Sequence, residues 1–204
     1  MAPLPLCLRL CYDNPMSRII MLFAALFLAV AFASPASFAQ TTPLAAQTDE
    51  LDSLFAKLRD PATGSEVLRI EPKIWSLWMT QGNAAENQQL AEATTAMGIL
   101  AYAKSLEKLN ALIATTQNFS EAYNKRATLY YLMGRYDESL GDIDKTLDLE
   151  PRHFGALSGR GMVLLKQGKS AEALKAFKEA LSVNPNMTGA KISVQQLEKL
   201  LPEL

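Results

Sequence analysis

Residue types that commonly perform catalysis or bind metals are scarce in this sequence. Among its 204 residues the chain has one histidine, His153, and two cysteines, Cys7 and Cys11. A structural zinc site uses about four Cys, His or carboxylate ligands. Neither a phosphate-binding glycine-rich loop nor a nucleophile elbow is present. The sequence therefore predicts no catalytic residue, no cofactor and no metal.

The remaining candidates for acid–base chemistry are His153 and four carboxylates on one predicted helix. We expect the His153 side chain to be solvated, because a lone histidine in a turn is more often solvated than catalytic. The four carboxylates belong to Asp137, Glu138, Asp142 and Asp144. Acids three or four residues from a cation such as Lys145 are typical of a solvated helix face. An enzyme is therefore the less favoured of the possible functions.

Two arginines, Arg126 and Arg160, have the same separation in the sequence as Pro151 and Pro185. They could form a basic ladder on a binding face, or each could bridge adjacent helices, and the sequence leaves both possibilities open. The chain as a whole has 20 Lys and Arg against 21 Asp and Glu, a net charge of −1. Proteins that bind nucleic acids usually carry a basic surplus. We therefore expect no nucleic-acid partner.

Residues 1–39 have the order of a secretory signal peptide. Arg18 precedes an uncharged apolar stretch at residues 19–33, and Ser37-Phe38-Ala39 supplies small residues around a cleavage site. This order predicts an exported, periplasmic protein that begins at Gln40, with a signal proper at residues 16–39 if the start is overlong. The apolar stretch at residues 19–33 is shorter than the span of about 20 apolar residues that crosses a bilayer, which favours a cleaved signal over an anchor. If the segment is instead retained, we expect an inner-membrane anchor, and only then a membrane contact.

Beyond residue 40 the apolar residues recur at helical spacing, and no strand pattern of useful length is present. The fold class predicted is therefore all-α. Three pairs of matching residues are separated by 34 positions: Gly134 and Gly168, Leu140 and Leu174, and Pro151 and Pro185. A fixed 34-residue period over helix–turn–helix units indicates a repeat architecture.

These repeats resemble the tetratricopeptide repeat family. In residues 120–153 the matching positions are Tyr123, Ala127, Tyr130, Gly134, Tyr136, Ser139, Ile143, Thr146 and Pro151. In residues 154–187 they are Leu157, Gly161, Leu164, Gly168, Ala173, Phe177, Ala180 and Pro185. Residues 86–119 match less closely, since Leu100 and Gln117 replace the turn glycine and the final proline.

The resemblance implies a right-handed α-solenoid of stacked helix–turn–helix repeats. We expect an N-terminal helical pair to cover the first repeat, with Trp75 and Trp78 packed inward. A capping helix would cover the last repeat. The predicted order is a signal peptide (1–39), a flexible linker (40–48), the N-terminal pair or degenerate repeat (49–82), a divergent repeat (86–119), two further repeats (120–153 and 154–187) and the C-terminal capping helix (188–204).

The resemblance also implies a non-catalytic adaptor in the cell envelope that binds a protein or peptide on its concave face. The first helix of each repeat lines that face in this family. The residues expected there are Asn124, Thr128, Tyr131, Ser158, Met162 and Leu165, with Leu90, Thr94 and Met97 from the divergent repeat. Some of them could instead pack against neighbouring helices.

Some family members hold an acidic C-terminal peptide with Lys, Asn and Arg at set helix positions. The corresponding positions of the third repeat are Gly155 and Gly159 in this chain. The sequence therefore does not imply that kind of partner.

Overall fold

The computed structural model describes residues 43–59 and 64–201, with side chains from residue 47 onward. The predicted signal peptide and cleavage site lie outside this part of the chain. The described residues form nine α-helices and no strands: α1 (Pro43–Arg59), α2 (Gly64–Met79), α3 (Ala84–Gly98), α4 (Tyr102–Thr115), α5 (Ser120–Leu132), α6 (Tyr136–Leu149), α7 (Phe154–Lys166), α8 (Ser170–Val183) and α9 (Thr188–Leu200). None of these helices is long and apolar enough to cross a bilayer.

Helices α3 to α8 form three consecutive helix–turn–helix units, and α9 packs against α8. Each unit packs its own two helices together and packs its first helix against the preceding unit. This arrangement confirms the predicted all-α solenoid.

The turns inside the three units share one backbone geometry. Gly134 and Gly168 have φ angles of +73° and +77°, and Leu100, at the equivalent position of the first unit, has a φ of +60°. The residue after each of them donates its N–H to the carbonyl five residues back, at 2.8–2.9 Å, which closes the end of a helix. Glycine adopts positive φ without the steric cost that a Cβ brings. Leu100 therefore holds the repeat geometry at a cost in conformational strain, and α4 begins two residues later, at Tyr102.

Small residues bring the two helices of each unit together. The hydroxyl of Ser105 donates to the carbonyl of Ala93 at 2.8 Å, and Ser139 makes the same bond to Ala127 in the second unit. In the third unit a Cβ added at Gly161 would lie 2.8 Å from the ring of Phe177. The two helices therefore approach closely at these positions in all three units.

The N-terminal part of the chain differs from the prediction in where helix α1 begins. The helix starts at Pro43, so residues 43–48, predicted as a linker, are helical. Proline suits the first turn of a helix, because its missing N–H is not needed there. The Gln47 amide donates to the carbonyl of Leu77 at 2.6 Å, which joins this first part of α1 to α2.

The helices α1 and α2 were predicted to cover the first repeat. In the structure they lie across the turns that join successive repeats. Their apolar residues form one core with Phe154, Val183 and Met187, which lie at the edges of the second and third of these turns. Gln81, just after α2, accepts two hydrogen bonds from Ser120 at the first turn. Within this core Trp78 is fully buried and Trp75 half-buried, as expected of both. The tryptophans favour this placement, because the first turn of α7 offers them the apolar ring of Phe154 and the open backbone of Gly155.

Candidate functional site

A cavity of about 210 Å³ opens between the first helices of the second and third repeats, α5 and α7. Its lining is uncharged and mostly apolar, and α6 contributes the side chains of Ser139 and Ile143. Five of the six residues predicted to face the groove lie in this lining: Asn124, Thr128, Tyr131, Ser158 and Met162. The sixth, Leu165, lies on the exposed end of α7 outside the lining.

The polar groups of the lining differ in whether they already have partners. The Asn124 side chain is buried, and its amide donates to Glu121 at 2.9 Å. The Thr128 hydroxyl donates to the Asn124 carbonyl at 2.9 Å. The hydroxyls of Ser158 and Tyr131 have no hydrogen-bond partner anywhere in the described chain. These two groups therefore remain available to a ligand.

The divergent first repeat contributes less to the groove than predicted. Leu90 is completely buried in a core cluster with Leu109 and Leu112, so it does not face a ligand. The Thr94 hydroxyl donates to the carbonyl of Leu90, and Met97 packs against the same cluster. The predicted extension of the binding face into this repeat was wrong for Leu90.

The repeated arginines bridge adjacent helices instead of forming a free basic ladder. The Arg126 guanidinium binds both carboxylate oxygens of Asp142, each at 2.7 Å, and donates to Asn110 at 2.8 Å. This bidentate hydrogen bonding raises the pKa of Arg126, although burial opposes it. Arg160 donates to Asp144 at 2.6 Å. Asp142 is buried, so the prediction of a solvated acidic face was wrong for this residue.

Three glycines of α7 have three different surroundings. A Cβ added at Gly155 would lie 2.5 Å from Cη2 of Trp75, so glycine is needed there for α2 to dock. A Cβ at Gly161 would press into the Phe177 ring. A Cβ at Gly159 would lie 3.8 Å from Ile143 Cδ1, an ordinary contact distance. Of the three, Gly155 and Gly161 are therefore required by packing and Gly159 is not.

Helix α2 borders the cavity through Trp75. The ring of Trp75 packs on Gly155, which also belongs to the cavity lining. The Lys125 ammonium group lies 5.5 Å from the Trp75 ring centroid and 2.9 Å from Oε1 of Glu121. The sequence analysis did not predict that Trp75 lies next to the cavity. The two tryptophans of the predicted cap could have indicated it, since such large side chains need a deep apolar surface to pack on.

His153 is completely buried, which corrects the expectation of a solvated side chain. It caps α7, because its Nδ1 accepts the backbone N–H of Ala156 at 3.1 Å. Its Nε2 lies 2.8 Å from Oε2 of Glu121, and its ring stacks on Trp78 at 3.9 Å and 13°. Because Nδ1 accepts a hydrogen bond, the network assigns the proton to Nε2, which donates to the carboxylate. His153 is therefore a structural residue.

Glu121, the hydrogen-bond partner of the His153 Nε2, carries a buried negative charge. Burial by itself raises the pKa of this carboxyl. The hydrogen bond from His153 and the adjacent Lys125 ammonium group outweigh burial, so the pKa lies below its ordinary value. Asn124 adds a third donor to the same carboxylate. The groove residue Asn124 is thus connected to the cluster that holds α2.

Residues 43–59 and 64–201 contain no group of three or more His, Cys, Asp and Glu side chains that could hold a metal ion.

Comparison with known sequences identifies similar proteins over much of the chain. The sequence model of the tetratricopeptide repeat matches residues 155–187. A TPR repeat-containing protein of Rhizobium etli is 35% identical over 157 residues, which cover 74% of this chain and 74% of that protein.

Solved structures of TPR domains share the fold at lower sequence identity. The Sgt2 TPR domain of Aspergillus fumigatus aligns with a TM-score of 0.56 and 15% identity, covering 59% of this chain and 82% of that one. The first TPR domain of Spaghetti (RPAP3), bound to the HSP90 peptide SRMEEVD, aligns with a TM-score of 0.55 and 16% identity, covering 58% and 94%.

Proposed function

Because the chain belongs to the tetratricopeptide repeat family, we propose that it is a non-catalytic module that binds a protein or peptide between α5 and α7. One observation carries this proposal: five residues selected by the repeat frame line a single cavity. Tyrosine is over-represented among residues that dominate binding energy, and methionine adapts its shape to different partners. Tyr131 and Met162 are therefore the expected contributors. The peptide held by the RPAP3 domain supports the same general mode of action.

The surroundings of His153 argue against an acid–base enzyme. Both ring nitrogens are engaged, one with the Ala156 amide and one with Glu121, and the ring is inaccessible to solvent. A general base must reach the proton that it abstracts from a substrate. The residue most suited to such chemistry is thus fully used in capping α7.

We also propose that the protein is exported to the cell envelope, the periplasm of a bacterial cell. The support is the order of charged, apolar and small residues in the segment 16–39. Intact-mass measurement of the exported protein should give a chain that begins at Gln40. A species that retains residues 16–39 would contradict cleavage and favour a membrane-anchored assembly subunit.

The binding function can be tested with matched methionine variants of the full chain. Met162 lines the cavity and is 44% exposed, whereas Met133 is 38% exposed and lies outside the lining. Partners are captured by cross-linking in cells and quantified by mass spectrometry. Tyr131→Ala and Met162→Ala should each weaken the capture of a specific partner about tenfold, equivalent to about 1.4 kcal/mol. Met133→Ala should leave it unchanged.

The opposite surface of the third repeat provides the contradicting outcome. Lys175 on α8 is highly exposed and, among the residues that the structure describes, forms only a long ion pair with Glu179. If Lys175→Ala weakens capture while Tyr131→Ala and Met162→Ala do not, the second helices carry the binding surface. The groove would then not be the binding site.

A further inference from the structure

Gly159 is a helix-interior glycine that helix packing does not require. Glycine destabilises a helix interior by roughly 0.5–1 kcal/mol relative to alanine. A Cβ at this position would make only an ordinary contact with Ile143. Gly159 and Ile143 both line the cavity, so a larger side chain at position 159 would extend into the cavity itself. The glycine therefore keeps open a space that the fold alone does not need.

The size of this space limits what can occupy it. A cavity of about 150 Å³ is large enough to bind benzene, whereas sites for drug-sized molecules measure about 300–1,000 Å³. The cavity between α5 and α7 measures about 210 Å³. It therefore matches one large side chain, such as Leu, Met or Phe, rather than a whole small-molecule ligand.

The charges around the cavity limit the chemistry of its occupant. None of its lining residues is ionisable as an acid or a base near neutral pH. Three cations on the neighbouring helix faces are already paired: Lys125 with Glu121, Arg126 with Asp142 and Arg160 with Asp144. Lys166, at the exposed end of α7, lies outside the lining. An acidic side chain or a terminal carboxylate inside the cavity would have no cation in the lining to pair with, and burial of an unpaired charge is strongly unfavourable. An uncharged side chain has no such penalty.

We propose that Gly159 is a specificity-determining residue, which admits one large apolar side chain of a peptide partner into the cavity and excludes acidic tails. The unpartnered hydroxyls of Tyr131 and Ser158 lie in the same lining and can bond the peptide backbone beside the inserted side chain. This inference rests on the proposed peptide-binding function and defines the chemistry of its partner.

The test uses a displayed library of random dodecapeptides, selected on the full chain, and the heptapeptide SRAEEVD as the acidic probe, in which alanine replaces the methionine of the RPAP3 ligand. The selected peptides should share an apolar anchor residue, and SRAEEVD should not compete with them. Gly159→Leu should weaken their binding at least tenfold, because the leucine fills the cavity. Gly159→Ala should weaken binding severalfold without lowering the thermal unfolding midpoint, which separates lost binding from lost folding.

Gly141 provides the matched control. It is also a helix-interior glycine, on the exposed face of α6, and no atom lies within 4 Å of the position of its missing Cβ. Gly141→Ala should therefore leave peptide binding unchanged. If Gly159→Leu binds the selected peptides normally while Tyr131→Ala binds them weakly, the specificity role of Gly159 is overturned, but the proposed peptide-binding function is not. Competition by SRAEEVD, or acidic selected sequences, would overturn the apolar specificity. Selected peptides that tolerate Tyr131→Ala, Met162→Ala and Gly159→Leu would overturn the proposed function as well.

Discussion

Replacing His153 by alanine should detach α2 from the repeats before the repeats themselves unfold. The variant loses the cap of α7, which costs about 1 kcal/mol. It also removes a hydrogen-bond donor from the buried carboxylate of Glu121, which costs about 1–3 kcal/mol. Together these losses amount to about 2–4 kcal/mol, or a decrease in melting temperature on the order of 10 °C for a chain of this size.

Two spectroscopic signals separate α2 from the rest of the molecule. The chain has two tryptophans, Trp75 and Trp78, and both lie on α2. Tryptophan fluorescence therefore reports the docking of α2, whereas far-ultraviolet circular dichroism reports all helices. In His153→Ala the fluorescence transition should occur at a lower temperature than the loss of helicity.

A matched variant distinguishes the cap from the carboxylate contact. Asparagine is a good helix cap, but its side chain is shorter than that of histidine, so His153→Asn should keep the cap and lose the bond to Glu121. It should recover about 1 kcal/mol relative to His153→Ala. If His153→Ala leaves both the tryptophan emission and the melting temperature unchanged, the cluster does not hold α2 in place.

Three further predictions concern single residues. Leu100→Gly should stabilise the chain by about 1 kcal/mol, because it removes a side chain that is 73% exposed from a positive-φ position. The control is Ile99→Gly, because Ile99 is 72% exposed but has a negative φ, and this change should give no gain in stability. Equal melting temperatures for Leu100→Gly and Ile99→Gly would contradict the proposed backbone strain at Leu100. Gly161→Leu should destabilise by about 1–3 kcal/mol or more, since its Cβ would meet the Phe177 ring; an unchanged circular-dichroism melting curve would refute this. Because the pKa of Glu121 is lowered in the folded protein, its carboxylate contributes stability above about pH 4.5. This stability is lost as the pH falls through the pKa of the folded state. The denaturant midpoint should therefore fall more between about pH 6 and about pH 3 in the wild type than in Glu121→Gln.

The repeat period predicted those features that depend on neighbours in the sequence. The helices Tyr136–Leu149 and Ser170–Val183 begin and end 34 residues apart, as the repeat period predicts. Five of six groove residues lie in one cavity, because their spacing on a helix fixes the face that they share. Whether they bind a partner stays a prediction.

The features that escaped prediction depend on residues far apart in the chain. His153 looks like a solvated turn residue until α2, which lies far earlier in the sequence, covers it with Trp78. The amide of Asn124 is occupied because Glu121 belongs to the same cluster. Periodicity carries information about adjacent repeats, but it does not indicate which surface a preceding helical pair will cover.

The placement of α1 and α2 has a consequence for how the molecule unfolds. In an open solenoid each repeat contacts only its neighbours, so the ends can fray independently. Here Asn186 donates to the carbonyl of Leu58 across 128 residues, and Asn184 bonds Glu71 across 113. These contacts join the first helices to the turn after the last repeat. Loss of either end therefore exposes the core of the other, and we expect cooperative unfolding. The long loops that must close also make folding slower than in an array with neighbour contacts alone.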